Sequence, residues 1–155
     1  MMRFRWKVWL IAVLFSCVSF SSAAVQAGGS AEKQKVILDT DIGDDIDDSF
    51  ALALVLASPD LELLGVTTAW GDTQVRARLV ERMLCETGMD NIPIAAGAST
   101  ENKVALDHSP WARAFWKPVR HYGPAVDFIL DQIRKYPGQI TLIAIAPMTN
   151  VGDLI

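Results

Sequence analysis

Cysteine is nearly absent from this 155-residue sequence, which contains only Cys17 and Cys85. Cys17 lies in an N-terminal segment that we expect to be cleaved, so Cys85 has no partner for a disulfide within the mature chain. Cys85 falls in a helical pattern and is most simply a small hydrophobic residue of a core. A scaffold held together by internal disulfides is therefore excluded.

Basic residues are also scarce, with 14 Lys and Arg against 18 Asp and Glu. The first 27 residues hold Arg3, Arg5 and Lys7 but no acidic residue. Their removal leaves 11 bases against 18 acids, a net charge of −7 with His neutral. We expect no nucleic-acid partner, because phosphate binding needs a basic surface.

Long hydrophobic runs are missing except near the N-terminus. There, a basic start is followed by an apolar run over residues 8–20 and by the small-residue sequence "VQA". This pattern predicts a secretory signal peptide over residues 1–27, and hence a secreted or periplasmic protein. The run is too short for a stable membrane span. A lipid anchor at Cys17 is disfavoured, because Phe15 fits a lipoprotein cleavage box badly and the apolar run continues past Cys17.

The rest of the sequence has the length of one domain. Residues 28–34 are polar and predict a flexible lead-in, and residues 35–155 predict the folded part. The last ten residues, "APMTNVGDLI", indicate a turn that enters a helix. Because a domain seldom stops where an element begins, we expect it to be truncated at its C-terminus.

Apolar, strand-like segments alternate with segments of helical character. Strands are predicted at residues 36–38, 63–68, 92–95 and 140–145, and helices at residues 49–57, 72–87 and 124–133. The first helix is apolar on nearly all sides, which predicts burial. The second has a polar face that predicts exposure to solvent, formed by Arg76, Arg78, Glu81 and Arg82. The alternation predicts an α/β fold with a parallel, Rossmann-like sheet and helices on both faces.

In such sheets, ligands bind beyond the carboxyl ends of the strands. An aspartate-rich loop follows the first predicted strand, "TTAWGDT" spans the end of the second, and "APMTN" follows the fourth. Topology alone therefore predicts that three separate loops converge on one site.

The aspartate-rich loop belongs to "VILDTDIGDDIDDSFALAL", which starts at Val36. Its six acids are Asp39, Asp41, Asp44, Asp45, Asp47 and Asp48. Carboxylates this close repel one another unless something positive compensates them. Helix capping explains one or two of them, whereas a hard cation with oxygen ligands explains more. A phosphatase of the haloacid dehalogenase type also carries Asp-x-Asp after its first strand, but that pattern does not usually continue with Ile-Gly.

Four segments together carry a family resemblance: "VILDTDIGDDIDDSFALAL", "GVTTAWGDT", "IPIAAGAS" and "ITLIAIAPMTNVG". In this order and spacing they resemble the N-terminal half of the inosine-uridine preferring nucleoside hydrolase family, over residues 35–155. The resemblance implies a calcium-dependent enzyme that splits a small-molecule ribonucleoside into ribose and free base. Family members are often dimers or tetramers, so the resemblance is compatible with a homo-oligomer.

The resemblance also implies roles for the acidic residues. The family's Asp-x-Asp pair falls on Asp39 and Asp41, and Asp41 would bind calcium and act as the base for the attacking water, with Asp39 behind it. The family's later Asp-Asp pair binds the ribose hydroxyls and the calcium, and it falls on Asp47 and Asp48. This sequence is longer than the family pattern before that pair, so Asp45 stays a rival for either role.

Residues after the second and fourth strands complete the implied site. A backbone carbonyl just before the family's Thr-Asn turn binds calcium, which corresponds to Ile145, and Asn150 more simply stabilises the turn than contacts substrate. The family commonly has Gly-Asn where this sequence has Gly71-Asp72. Ionised Asp72 accepts hydrogen bonds but cannot donate them, which departs from the family's ribose contact. Trp70 is a further candidate contact for the substrate.

Residues 97–123 lack periodicity and predict a long loop. His108 and His121 could protonate a leaving base, but a loop histidine is more often solvated. Trp111 and Trp116 could stack on a nucleobase, but packing of the loop onto the sheet is the simpler interpretation.

Two alternatives to a complete enzyme stay open. The chain could be a non-catalytic protein that binds calcium and ribose, or a truncated remnant of the enzyme. The family's second half supplies another calcium-binding aspartate and the groups that activate the leaving base. We therefore expect the chain to be weakly active or inactive by itself.

Overall fold

The computed structural model describes residues 32–101 and 106–155. The predicted signal peptide, Cys17 and residues 28–31 of the predicted lead-in lie outside these ranges. Among the described residues, no helix has both the length and the apolar character that a membrane crossing requires.

Strands and helices alternate along the described chain. The elements are β1 (Gln34–Thr40), α1 (Asp47–Ala57), β2 (Leu61–Thr68), α2 (Thr73–Glu86), β3 (Ile94–Ala96), α3 (Ser109–Arg113), α4 (Ala125–Lys135), β4 (Ile140–Ala144) and α5 (Thr149–Leu154). β1 begins at Gln34, so this residue belongs to the sheet and not to the predicted lead-in. Its side-chain amide donates a hydrogen bond to the Gln139 carbonyl next to β4.

Neighbouring strands of the described sheet are all parallel, in the order β3-β2-β1-β4. This arrangement confirms the predicted α/β fold. β1 lies between β2 and β4, and all of its residues after Gln34 are buried. A strand buried on both faces needs an almost continuous apolar sequence, which explains "VIL" at its centre. The order also places the carboxyl ends of β1, β2 and β4 side by side.

Helices cover both faces of the sheet, as predicted. Leu38 of β1 joins Leu52 of α1 and Leu79 of α2 in the main core on one face. Neighbouring strand residues point to opposite faces of a sheet, so Ile37 lies on the face opposite to Leu38. Gly65 of β2 is in register with Ile37 and therefore lies on that opposite face too. There, a Cβ atom on Gly65 would come within 2.3 Å of the Phe128 ring, so α4 packs closely onto β2.

The prediction that α1 is buried on all sides was wrong. Leu52 and Val55 are buried, but Phe50 and Leu54 are 68% and 69% exposed. The helix packs on the sheet through a single stripe, and no element of the described residues shields its outer side. An apolar sequence therefore predicted more burial than this chain provides.

The predicted solvated face of α2 was also wrong, because Arg76, Arg78 and Glu81 are buried. Arg78 donates hydrogen bonds to the carbonyls of Phe115 (3.1 Å) and Pro118 (3.0 Å) and to the Glu81 carboxylate (2.7 Å). A guanidinium has five N–H donors, so it can be buried where several acceptors form hydrogen bonds with it. The helical periodicity predicted that these charged side chains are exposed to solvent, because it takes no account of loops that fold over the helix.

The long segment 97–123 contains the short helix α3 and is attached to α2. Arg82 donates to the Trp111 carbonyl at 2.6 Å, and its guanidinium lies 4.2 Å from the centre of the Trp111 ring. Trp111 therefore packs within the protein, as predicted. Trp116 is exposed instead, so the same prediction was wrong for that residue.

The two ends of α2 follow the sequence prediction. At the start, Asp72 Oδ1 accepts a hydrogen bond from the Val75 amide at 3.1 Å. At the end, Gly88 has φ +73°, and the Met89 amide donates to the Leu84 carbonyl at 2.8 Å. This is the Schellman arrangement, which favours glycine because other residues rarely adopt a left-handed backbone. The bounds of α2 place Trp70 and Asp72 directly before its first turn.

Candidate functional site

The predicted convergence of loops is confirmed, and it centres on Asn150 in α5. The Asn150 amide nitrogen donates to Asp39 Oδ1 in β1 (2.7 Å) and to the Thr68 carbonyl at the end of β2 (3.1 Å). The loop after β3 reaches the same point, because a Cβ atom on Gly97 would lie 2.1 Å from Asn150 Oδ1. The carboxyl ends of all four described strands therefore meet here.

Asp39 lies at the bottom of this site and is fully buried. Its Oδ1 accepts hydrogen bonds from Thr67 Oγ1 (2.6 Å) and from Asn150. Burial raises the pKa of Asp39, and these two hydrogen bonds offset part of that rise. The other oxygen, Oδ2, is buried without a hydrogen-bond partner among the described residues. A buried acceptor without a partner indicates a position for a donor or a cation.

Asp41 and Asp48 are half-buried after β1 and lie close enough for the charge of Asp48 to act on Asp41. We call this pair of carboxylates the acidic pocket. Burial raises the pKa of Asp41, and the negative charge of Asp48 raises it further, whereas Arg76 opposes the shift. Burial also raises the pKa of Asp48. Thr40 Oγ1 donates a 2.5 Å hydrogen bond to Asp48 Oδ1, and this bond offsets part of the rise. The structure thus brings together the two carboxylates to which the family resemblance gives cation-binding roles.

The other acids of the loop have different surroundings. Asp44 Oδ2 forms an ion pair with Arg76 at 2.8 Å, and its Oδ1 is buried without a partner among the described residues. Asp45 and Asp47 are exposed. Asp47 Oδ1 accepts a hydrogen bond from the Asp48 amide at 3.1 Å, as acids in a first helical turn commonly do. Asp45 and Asp47 therefore face solvent at the rim of the pocket.

The predicted contacts after β2 and β4 lie beside the pocket. Trp70 has φ +65°, and it is the only residue other than glycine with a positive φ in the described ranges. Asp72 is exposed and caps α2, so its carboxylate already has a structural role. The Ile145 amide donates to the Asp39 carbonyl at 2.9 Å, which fixes the backbone of Ile145 next to β1.

The sequence prediction missed Arg76, which is fully buried between the acidic loop and Trp70. Its Nη1 donates to the carbonyls of Asp41 and Ile42, Nε donates to the Trp70 carbonyl at 2.8 Å, and Nη2 donates to Asp44. A signal for it was present, since six clustered aspartates require a positive neighbour, and α2 carries arginines directly after the second site loop.

The two histidines do not share one location. His108 lines a mostly apolar cavity of about 540 Å³, together with Ile42, Ile46, Leu79 and Trp111. No aspartate of the described residues lines this cavity, so it is distinct from the acidic pocket. His121, near the C-terminal end of the long segment, is exposed to solvent.

The acidic pocket fits a hard divalent cation by its chemistry. Asp41 and Asp48 supply carboxylate oxygens, and Asp39 Oδ2 is buried without a partner among the described residues. Calcium takes about six to eight oxygen ligands, which can include carbonyls, water and substrate. In residues 32–101 and 106–155, no group of three or more Asp, Glu, His or Cys side chains is arranged to hold a metal. The described chain therefore offers a partial ligand set.

Comparison with known proteins identifies the family. The profile named "Inosine-uridine preferring nucleoside hydrolase" matches residues 36–155. The chain belongs to this family. The acidic pocket of this nucleoside hydrolase family member lies within the matched residues, at the carboxyl end of a central strand.

Relatives of this nucleoside hydrolase chain occur in fungi and plants. It is 38% identical over 131 residues to an uncharacterised protein of Schizosaccharomyces pombe, covering 76% of this chain and 42% of that protein. It is 31% identical over 137 residues to the probable uridine nucleosidase 2 of Arabidopsis thaliana, covering 78% and 41%. The solved plant nucleoside hydrolase PpNRh1 matches with a TM-score of 0.61 and 27% identity, over 78% of this chain and 42% of that one. The chain thus spans about two-fifths of the length of these relatives.

Proposed function

We propose that this chain supplies the ribose- and cation-binding part of an enzyme that hydrolyses ribonucleosides to ribose and free base. One observation carries the proposal: Asp41 and Asp48 form a half-buried acidic pocket at the carboxyl end of β1, in a chain of the nucleoside hydrolase family. The uridine nucleosidase among its relatives supports a nucleoside as the substrate.

The reaction adds water to the anomeric carbon of ribose as the bond to the base nitrogen breaks, and the departing base takes up a proton. Such cleavage passes through an oxocarbenium-like state. The negative charges of Asp41 and Asp48 stabilise the positive charge that develops on the sugar. Asp41 is the proposed base for the attacking water.

We propose calcium as the cation of this pocket, held by the carboxylates of Asp41 and Asp48 and by the Ile145 carbonyl. A bound divalent cation lowers the pKa of a water molecule that it contacts. The buried Oδ2 of Asp39, which has no hydrogen-bond partner within residues 32–101 and 106–155, supports a positive charge close to Asp39. Asp39 and Asn150 then hold the ends of β1 and β2 in place beneath the ligands.

The residues at the rim of the pocket are the proposed contacts for the nucleoside. Asp45 and Asp47 are exposed next to the pocket, where carboxylates can accept hydrogen bonds from ribose hydroxyls. Asp72 and Trp70 lie beyond β2 on the neighbouring loop. The Trp70 indole is the proposed apolar surface for the substrate. Hydrogen bonds to the ribose hydroxyls would hold the anomeric carbon in line for attack.

The test uses the natural protein, incubated with uridine or inosine in the presence of calcium or of a chelator. We expect release of reducing sugar in calcium and its loss in chelator. Asp41→Asn should lower the rate by about 10²- to 10⁴-fold, as expected for loss of a general base. Asp131→Asn is the matched control, because Asp131 is exposed and pairs with the exposed Arg134 on the surface of α4.

The same experiment separates catalysis from binding. If calcium raises the melting temperature but no ribose appears with either nucleoside, the protein is a non-catalytic calcium- or ribose-binding protein. If Asp41→Asn and Asp131→Asn retain equal activity, Asp41 is not the base. We also propose that the protein is exported through its N-terminal signal, which N-terminal sequencing of the native protein would test by a start at Gly28.

A further inference from the structure

A single side chain, that of Arg76, joins the two loops that approach the acidic pocket from β1 and β2. Through Nη1 it contacts the carbonyls of Asp41 and Ile42, at 2.9 Å for Ile42. Through Nε it contacts the Trp70 carbonyl at 2.8 Å. Its planar, rigid fork of donors can hold several acceptors in fixed directions. One guanidinium therefore bridges the backbone of Asp41 and the backbone of Trp70.

Arg76 also contributes to the local electrostatics, through one ion pair and through its charge. Its Nη2 pairs with Asp44 Oδ2 at 2.8 Å, although Arg76 is fully buried and Asp44 is largely buried. Burying such a pair costs more than its mutual attraction returns unless further hydrogen bonds satisfy the guanidinium. The three backbone carbonyls provide those hydrogen bonds. The guanidinium also supplies positive charge beside Asp41 and Asp48.

Trp70 shows why such a contact is needed. Its φ of +65° lies in the left-handed region, which is unfavourable for a bulky residue and persists only when surrounding contacts impose it. Arg76 supplies two of these contacts, the hydrogen bond to the Trp70 carbonyl and its position 5.5 Å from the centre of the indole ring.

We infer that Arg76 is the positioning residue of this site, which holds the Asp41 loop and the Trp70 turn in the one arrangement that suits substrate. Arg76 is fully buried, so we expect it to contact neither the ribose nor the base. It acts through the backbone of Asp41 and Trp70, which the proposed function places against the nucleoside, and the catalytic part of the inference rests on that function. Lysine cannot replace it, because an ammonium group has only three donors and no planar fork.

Arg78 provides a matched control on the same helix. It is also buried, pairs with a carboxylate, Glu81, and donates to loop carbonyls. Its carbonyls belong to Phe115, Lys117 and Pro118, which lie in the long segment away from the acidic pocket. Arg76→Lys and Arg78→Lys therefore remove comparable buried contacts, but only the first removes them from the site.

The experiment measures ribose release from uridine by the natural protein and by both variants, well below their melting temperatures. We expect Arg76→Lys to lower kcat about tenfold or more, since a small misplacement of reacting groups costs that much or more. We expect the kcat of Arg78→Lys to stay close to that of the natural protein, even if its melting temperature falls as much as that of Arg76→Lys. Equal kcat values for the two variants would overturn the inference.

A second measurement needs no substrate and separates this inference from the proposed function. In hydrogen–deuterium exchange, Arg76→Lys should speed exchange in residues 41–46 and 69–72, and Arg78→Lys should speed it in residues 112–119. Uniformly faster exchange, or no change at residues 41–46, would overturn the positioning role. If the natural protein releases no ribose, the proposed function fails, and the exchange pattern alone decides whether Arg76 fixes these two loops.

Discussion

The side-chain amide of Asn150 lies 2.7 Å from Oδ1 of Asp39, although 111 residues separate them in the sequence. The same nitrogen donates to the Thr68 carbonyl at 3.1 Å, and Asn150 is only 1% exposed. One residue of α5 thus joins the carboxyl ends of β1 and β2, where the loop with Asp41 and Asp48 begins. The position of the pocket depends on this contact between the two ends of the described chain.

We expect Asn150→Ala to lower the free energy of unfolding by about 1–3 kcal/mol, because it removes two buried hydrogen bonds, to Asp39 Oδ1 and to the Thr68 carbonyl, which keeps only the Gly97 amide as its donor. Urea unfolding followed by circular dichroism measures the change. Asn91→Ala is the control, since Asn91 is exposed in a surface turn. Equal free energies of unfolding for the two variants would show that the Asn150 contact makes no net contribution to stability.

Gly97→Ala should be strongly destabilising, because the new Cβ atom would lie 2.1 Å from Asn150 Oδ1 and 2.8 Å from the Thr68 carbonyl. Relief of this overlap requires a shift of Asn150 away from Asp39, so we expect a loss of about 1–3 kcal/mol. In Gly123→Ala, the new Cβ atom would meet no atom within 4 Å. In a thermal melt, the melting temperature of this control should be close to that of the natural protein. A similar fall of the melting temperature in Gly97→Ala and Gly123→Ala would contradict the prediction.

Asp48→Asn should stabilise the protein at neutral pH when divalent cations are removed. The pKa of Asp48 is raised by burial in the folded state, so its contribution to stability is full below its unfolded pKa, near 4, and is lost as the pH rises through the folded value. After allowance for solvent screening, we expect a gain below about 1 kcal/mol at pH 7. The gain should vanish near pH 4.

Urea unfolding in chelator at both pH values measures this difference, with Asp131→Asn as the exposed control. Calcium should then stabilise the natural protein more than Asp48→Asn, because the ionised carboxylate is a proposed ligand. A variant that is less stable than the natural protein at pH 7 in chelator would contradict the prediction.

Tyr122→Phe should weaken the attachment of the long segment to α2. The Tyr122 hydroxyl donates to Glu81 Oε2 at 2.7 Å, and burial followed by this hydrogen bond raises the pKa of Tyr122 to about 12. We expect a loss of about 1–2 kcal/mol at pH 7, because one donor to a buried carboxylate disappears. Tyr136→Phe at the end of α4 is the control. Equal effects of the two substitutions in urea unfolding would contradict this role.

The charge state of this contact predicts a pH dependence. Since the folded pKa of Tyr122 lies above its ordinary value, its stabilisation is complete below pH 10 and is lost as the pH rises through about 12. Burial raises the pKa of Glu81, but hydrogen bonds from Tyr122 and Arg78 outweigh it, so the net pKa is lowered. The contribution of Glu81 is therefore lost only as the pH falls through that lowered value. Stability measured from pH 7 to pH 12 should fall less in Tyr122→Phe.

The sequence by itself determined the fold and the convergence of the loops at one end of the sheet. The apolar segments that became β1 and β2, the cap at Asp72 and the stop at Gly88 are local signals, because strand burial and helix ends depend on neighbouring residues. Parallel topology then fixed which loops converge, and the structure places Asn150 and Asp39 together as that topology requires. The individual roles of the acidic residues remain predictions.

Only the tertiary structure decided how the charges are compensated. Periodicity placed Arg76 and Arg78 in water, whereas loops distant in sequence fold over α2 and offer them carbonyls. It also placed all of α1 in the core, although Phe50 is exposed. A local pattern records the polarity of a residue but not the acceptors that surround it after folding. The burial of a guanidinium depends on those acceptors, because desolvation is offset only where they meet it.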